Sequence, residues 1–128
     1  MAIAITHPDV HRFDAPYSAA LRVGQLLFVS GTVSVDAEGA VVGTGDLAAQ
    51  TRQALLNVQR LLGAAGAGFE HVAMLTYYVV DISQWALAAP VRRELLSEPY
   101  PASTAVEVSR LVGTDWLIEI EAIAVLPD

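Results

Sequence analysis

Apolar and polar residues alternate in several short runs of this chain, and one longer run repeats at intervals of three and four. Thr104, Val106 and Val108 alternate with Ala105, Glu107 and Ser109, and Ile118 and Ile120 alternate with Glu119 and Glu121, the period of two that strands require. Gly113, Thr114 and Asp115 supply turn residues between these runs, so the pattern predicts a C-terminal antiparallel hairpin. Near the start, Ala2 to Thr6 has β character until His7-Pro8-Asp9 interrupts it. Ala19 to Val23, a Gly24-Gln25 turn and Leu26 to Ser30 then read as a second hairpin. Asp36 to Gly39 is a turn, with Val41 and Val42 returning from it.

Asp46 is placed to cap a helix in which Leu47, Thr51, Ala54, Leu55, Val58, Leu61, Leu62 and Ala65 form one face. Gln50, Arg52, Gln53, Gln59 and Arg60 fill the remaining positions, which predicts one face on a sheet and one in water. The glycines from Gly63 to Gly68 follow this helix. A dinucleotide loop instead precedes a helix, so that phosphate meets its N-terminus, and these glycines are read as a helix stop. Val72 to Val80 has almost no polar interruption and is expected to be a central strand covered on both faces. Trp85, Leu87, Val91, Leu95 and Leu96 suggest a second helix, broken at Pro90 into a kink or two short pieces. The order is strand, hairpin, helix, strand, helix, hairpin: an α/β (α+β) domain spanning residues 1–128, with a mixed sheet and two helices on one face.

Composition narrows the chemistry. At 128 residues and 54% hydrophobic content the chain fits one domain with a real core. No apolar run approaches the roughly 18 residues of a membrane span, and the N-terminus lacks the basic start of a signal peptide, so a cytoplasmic location is expected. Without cysteine there are no disulfides and no thiolate nucleophile. A net charge of −7 argues against a phosphate-backbone partner. His7 and His11 are four apart, but Pro8 and Asp9 oppose a helix through them, so no metal site is expected. His71 is read as a surface or capping residue. No cofactor fingerprint remains. Two carboxylates, Glu119 and Glu121, stand in an otherwise apolar strand. Either they lie on a solvated sheet face, or they require partners, because burying an unpaired charge costs several kcal/mol.

Pro-Ala-Ser-Thr-Ala-Val-Glu-Val-Ser-Arg-Leu from Pro101, followed by Ile-Glu-Ile-Glu-Ala-Ile-Ala-Val from Ile118, resembles the C-terminal signature of the RidA (YjgF) family. Pro16-Tyr17-Ser18-Ala19 is similar to that family's Pro-Tyr-Ser-Gln entry motif, and Val29-Ser30-Gly31-Thr32 to its Val-Ser-Gly-Gln segment. Asp81 fits the aspartate that closes its Val-Tyr-Val-X-Asp segment, and Ala89 falls near an asparagine of the deaminating members. The resemblance implies a chorismate-mutase-like fold with a six-stranded sheet, and a homotrimer whose sheets surround a central barrel with clefts between subunits. It also implies hydrolysis of enamines or imines to ketones and ammonia without a cofactor or metal. Matched residue by residue, Glu119 is the position that helps hold the hydrolytic water and Tyr17 a partner in proton transfer, although Tyr17 equally serves as a loop anchor. Ser30, Gly31, Ser103 and Thr104 are the expected substrate-binding positions, with Glu121 in a structural or solvated role. One departure stands out: the arginine that grips the substrate carboxylate in deaminating members is Ser103 here.

Three functions follow from that departure. One is an arginine-lacking enzyme acting on a different imine-like, amide-like or less acidic metabolite. Another is a noncatalytic trimer that binds a small ligand or a partner. The third is an ordinary 2-iminopropanoate or enamine deaminase with a rearranged carboxylate clamp.

Overall fold

A computed structural model describes all residues, 1–128. Six strands form one mixed sheet: β1 (Ala2–Ile5), β2 (Ala20–Val23), β3 (Leu26–Val33), β4 (Val72–Val79), β5 (Ala102–Glu107) and β6 (Ile118–Val125), ordered β1-β2-β3-β6-β4-β5. The helices are α1 (Leu47–Ala64) and α2 (Ala89–Leu95), the latter preceded by 3-10 turns over Ile82–Ala88. This is the mixed sheet with two helices that the resemblance implies.

Helix α1 forms where its pattern places it. The Asp46 carboxylate accepts the Ala49 N–H at 3.1 Å, satisfying one of the free donors of the first turn. At the other end Gly66 adopts φ +80°, a left-handed conformation that ends helices and suits glycine. Leu47, Ala54, Leu55, Val58, Leu61 and Leu62 pack into a core with Leu27, Val29, Leu75, Tyr77, Ile118 and Ile120. Pro90 lies in the first turn of α2, where its missing N–H leaves no intrahelical bond unmade. The region therefore divides into two short pieces. His71 Nδ1 accepts the Gly68 N–H at 3.0 Å, capping the turn before β4.

Four expectations change. First, β5 and β6 do not form a hairpin: β5 runs parallel to β4, and β6 is inserted antiparallel between β3 and β4. Ile118, Ile120, Ala122 and Ala124 are all buried, so β6 gains a neighbour on each side, while the exposed β5 takes the sheet edge after a helical crossover from β4. Second, β4 has one covered face. Leu75, Tyr77 and Val79 are buried, whereas Met74, Thr76 and Tyr78 alternate with them as half-buried residues of the open sheet face. Third, Val41 forms only an isolated bridge to Val35. Fourth, Gln50 is buried rather than wet. Its amide donates to the carbonyls of Asp115 at 2.9 Å and Gly43 at 3.2 Å, and its oxygen accepts the Leu117 N–H at 2.8 Å, which compensates its desolvation.

Candidate functional site

The open face and the loops at one end of β3 and β6 bring most of the predicted residues together. Opposite β6, strand β3 carries an extra residue: Val29 pairs with Ala122 and Thr32 with Ile120, leaving Ser30 and Gly31 to face Glu121 alone. Such a bulge bends the strand and re-aims its side chains. Ser30 turns its hydroxyl to donate to the Ser18 carbonyl at 2.6 Å, and its N–H donates to the Ala19 carbonyl at 3.0 Å. Ser30 thus holds the Pro16–Ala19 loop, and with it Tyr17.

Tyr17, Ser30, Gly31 and Glu119 line one cavity of about 600 Å³, walled by Phe13 and Trp116. The two aromatic rings meet edge to face, with centroids 5.8 Å apart. Trp116 is seated over Gly113, where a Cβ would come within 2.5 Å of the indole. The walls have no distinct signal in the sequence, since Phe13 and Trp116 lie in irregular loops more than a hundred residues apart.

The two carboxylates have different environments. Glu121 accepts a hydrogen bond from the Tyr78 hydroxyl at 2.6 Å, and this bond raises the Tyr78 pKa and keeps the phenol a donor. Glu119 has no hydrogen-bond partner within the protomer. Burial, followed by the charge of Glu121, holds its carboxyl above the ordinary value of 4.5. Tyr17 is also pushed up, by burial and then by Glu119, so its phenol remains protonated at neutral pH. A protonated phenol and an unbonded carboxylate of raised basicity facing one cavity are suited to hold and deprotonate a water. No metal is required for that step.

Ser103 and Thr104 lie elsewhere in the protomer. They are on β5, separated from β6 by β4, and they sit two to three residues along the strand from the level of Glu119, which pairs through Tyr78 with Val106, so both are more than about 10 Å from it at normal strand spacing. Ser103 pairs with Leu75 on the helix-covered face and Thr104 with Thr76 on the open face. The expectation that a C-terminal hairpin joins Ser103 to Glu119 therefore fails, because β4 occupies the place between them.

At Ser103 the structure supplies a residue that the sequence reading missed. Arg92 of α2 donates from Nη2 to Ser103 Oγ at 3.2 Å. Its guanidinium lies over the rings of Tyr77 and Trp85, at 4.7 Å and 4.9 Å from their centroids. Position 103 bears no guanidinium of its own, yet one reaches it from the helix. Only the folded placement of α2 beside the sheet edge reveals this proximity, and no spacing in the sequence encodes it.

Comparison with known proteins agrees with the site-bearing segments. The family model described as Endoribonuclease L-PSP matches residues 10–126. A RutC family protein of Pyrococcus horikoshii is 43% identical over 109 residues, covering 85% of this chain and 86% of the relative. The 2-iminobutanoate/2-iminopropanoate deaminase of Bos taurus is 33% identical over 110 residues, covering 86% of this chain and 80% of that protein. The crystal structure of RidA from an Antarctic Psychrobacter superposes with a TM-score of 0.90 at 30% identity, covering 97% of this chain and 99% of the other. Because the matched residues include both the Tyr17–Gly31 segment and the Glu119 strand, and the superposition covers 97% of the chain, this chain belongs to the RidA family.

Proposed function

We propose that the protein hydrolyses a small imine-like metabolite in the cavity between Tyr17 and Glu119. The observation that carries this reading is Glu119: a half-buried carboxylate with raised basicity, no partner in the protomer, and a protonated phenol beside it. In the proposed step, water held by Glu119 adds to the imine carbon as Glu119 takes a proton. The C–N π bond opens toward nitrogen, which gains a proton from Tyr17 or the returned proton of Glu119. Collapse of the carbinolamine then releases ammonia and leaves a carbonyl, so that imine and water become ketone and ammonia. Orientation and proton transfer carry the reaction, with no change of oxidation state.

The working unit in this reading is a homotrimer with a cleft between subunits. Support comes from the open sheet face, where Leu26, Phe28, Val106, Ile123 and Val125 are exposed. A second protomer covering that face would bury this apolar surface and partner the free carboxylate. Thr104, on the open face of β5 and remote from Tyr17 within one chain, would enter a shared cleft from the neighbouring chain, with Ser103 beside it at the exposed sheet edge.

The test generates 2-iminopropanoate in situ with a serine dehydratase and follows ammonia-dependent trapping of the imine. Wild-type protein should suppress trapping, whereas Glu119→Gln should lose most of that effect. A wild-type protein that leaves trapping unchanged, at concentrations where a deaminating relative abolishes it, refutes the hydrolytic reading and favours a binding protein built on the same cleft.

A further inference from the structure

A second cavity, of about 180 Å³, opens between α2 and the edge strand, lined by Tyr77, Arg92, Arg93, Tyr100 and Ser103 among others. No acidic residue lines it. That is unusual in a chain of net charge −7, where a guanidinium ordinarily finds a carboxylate. The nearby acid of α2, Glu94, is already paired with Arg52.

Two buried polar atoms at this cavity make no hydrogen bond of normal geometry, Nε of Arg92 and the hydroxyl of Tyr77, and the nearest group of opposite character to the phenol is Arg92 itself. Tyr77 is fully buried, and burial pushes its phenol up against the opposing influence of Arg92, so the hydroxyl keeps its proton. Unpaired buried donors are rare, because a buried polar group without a partner is costly. Arg92 is also fixed in place: its guanidinium rests over two aromatic rings whose centroids are 5.0 Å apart. One of its five N–H groups is spent on Ser103 Oγ, which leaves the Ser103 proton free to be donated in turn.

We infer that Arg92, held by Tyr77 and Trp85 and assisted by Ser103, is the anion-binding residue of this protein, and that it takes the carboxylate of a short-chain 2-oxo or 2-imino acid. The planar guanidinium offers the paired donors that a carboxylate accepts, with a hydroxyl beside them. The cavity, of about 180 Å³, matches an acid group with a few carbon atoms beyond it. Specificity for an acidic substrate, which Ser103 alone could not provide, then comes from the helix instead of the strand. Assigning this anion to a substrate rests on the hydrolytic reading above, but the binding site stands on its own geometry.

The experiment measures binding and turnover separately. Amide chemical shifts of the wild-type protein are followed on titration with pyruvate and with its neutral analogue pyruvamide. Pyruvate should shift Arg92, Ser103 and their neighbours, and pyruvamide should not. Calorimetry should show pyruvate weakened by about 10- to 100-fold in Arg92→Met, which keeps the stem over the rings, with an intermediate loss in Arg92→Lys. Glu119→Gln should retain pyruvate binding while losing imine hydrolysis. Equal binding of pyruvate and pyruvamide, or wild-type affinity in a folded Arg92→Met, overturns the inference. Pyruvate binding that depends on Arg92 in a protein without imine hydrolysis upholds it and removes the hydrolytic reading alone.

Discussion

Gly31 and Glu119 share one volume: a Cβ on Gly31 would come within 2.7 Å of the Glu119 carboxylate carbon. The glycine is required for this contact and not for backbone strain, since its φ is not in the left-handed region. Gly31→Ala should therefore push the flexible end of Glu119 aside without unfolding the strand. Stability is expected to stay within about 1 kcal/mol, because alanine restricts the unfolded chain more than glycine does. Imine hydrolysis should fall by about 10- to 100-fold, less than the roughly 100- to 10,000-fold that loss of a positioned acid-base group costs, because the carboxylate is displaced and not removed. A variant that keeps full activity would mean that the carboxylate does not work from its place over Gly31.

Glu119 should also leave a mark on stability against pH. Its folded pKa lies above 4.5, so the folded state retains a proton that the unfolded chain has already released. Stability is then full below the unfolded value and falls as pH rises through the folded one. Glu119→Gln should remove that decline and give a flatter melting-temperature profile between acid and neutral pH. Parallel profiles for the two proteins would show that Glu119 is not held in its raised state.

Gln50 ties α1 to the loop that carries Trp116. Its three hydrogen bonds to Asp115, Gly43 and Leu117 are all made to backbone groups. Gln50→Leu keeps the volume but leaves the Leu117 N–H and the Asp115 carbonyl unpaired, at a cost of about 2 to 4 kcal/mol in denaturant unfolding. With the Trp116 wall loosened, KM should rise more than kcat falls. An unchanged unfolding midpoint would show that water replaces the amide.

The same residue marks the limit of what the sequence discloses. Periodicity identifies α1, both its ends and most of its buried face, because those depend on neighbours three and four positions away. Gln50 looks like a surface residue until the loop at Asp115 folds over it. Strand identity was legible at β2, β3 and β6, but strand neighbours were not: the turn residues at Gly113–Asp115 suggested a hairpin, and only the helical crossover from β4 shows why β5 takes the edge. Tyr17, Ser30, Gly31 and Glu119 were legible through family motifs, and the bulge at Ser30–Gly31 explains why those motifs meet. Arg92 was illegible because its contact with Ser103 is made only when α2 is folded beside the sheet edge.

The open sheet face makes a prediction about assembly. Phe28 and Ile123 face one another across β3 and β6 and are 41% and 38% exposed in the protomer. Light scattering should give a mass near three times the 13.6 kDa chain. Ile123→Glu should shift that mass toward one chain while retaining the far-ultraviolet circular dichroism of the wild type, and activity should fall with the trimer. A wild-type protein that stays monomeric at micromolar concentration would remove the shared-cleft arrangement.

The contact between Arg92 and Ser103 predicts that a guanidinium can serve from either position. Arg92→Ala should weaken pyruvate binding, and adding Ser103→Arg to that variant should restore part of it, because the new side chain starts where the present one ends. Ser103→Arg alone should help little or harm, since two guanidiniums within hydrogen-bonding reach of one point repel each other and compete for one carboxylate. The four proteins form a double-mutant cycle, and groups sharing a ligand typically show coupling of about 0.5 to 3 kcal/mol. The expected sign is rescue: Ser103→Arg gains affinity only where Arg92 is absent. Additive effects, with Ser103→Arg changing affinity equally in both backgrounds, would show that the two positions address different places and that Arg92 braces α2 without touching the ligand. Pyruvamide binding should be the same in all four proteins, which separates recognition of charge from a change in cavity shape.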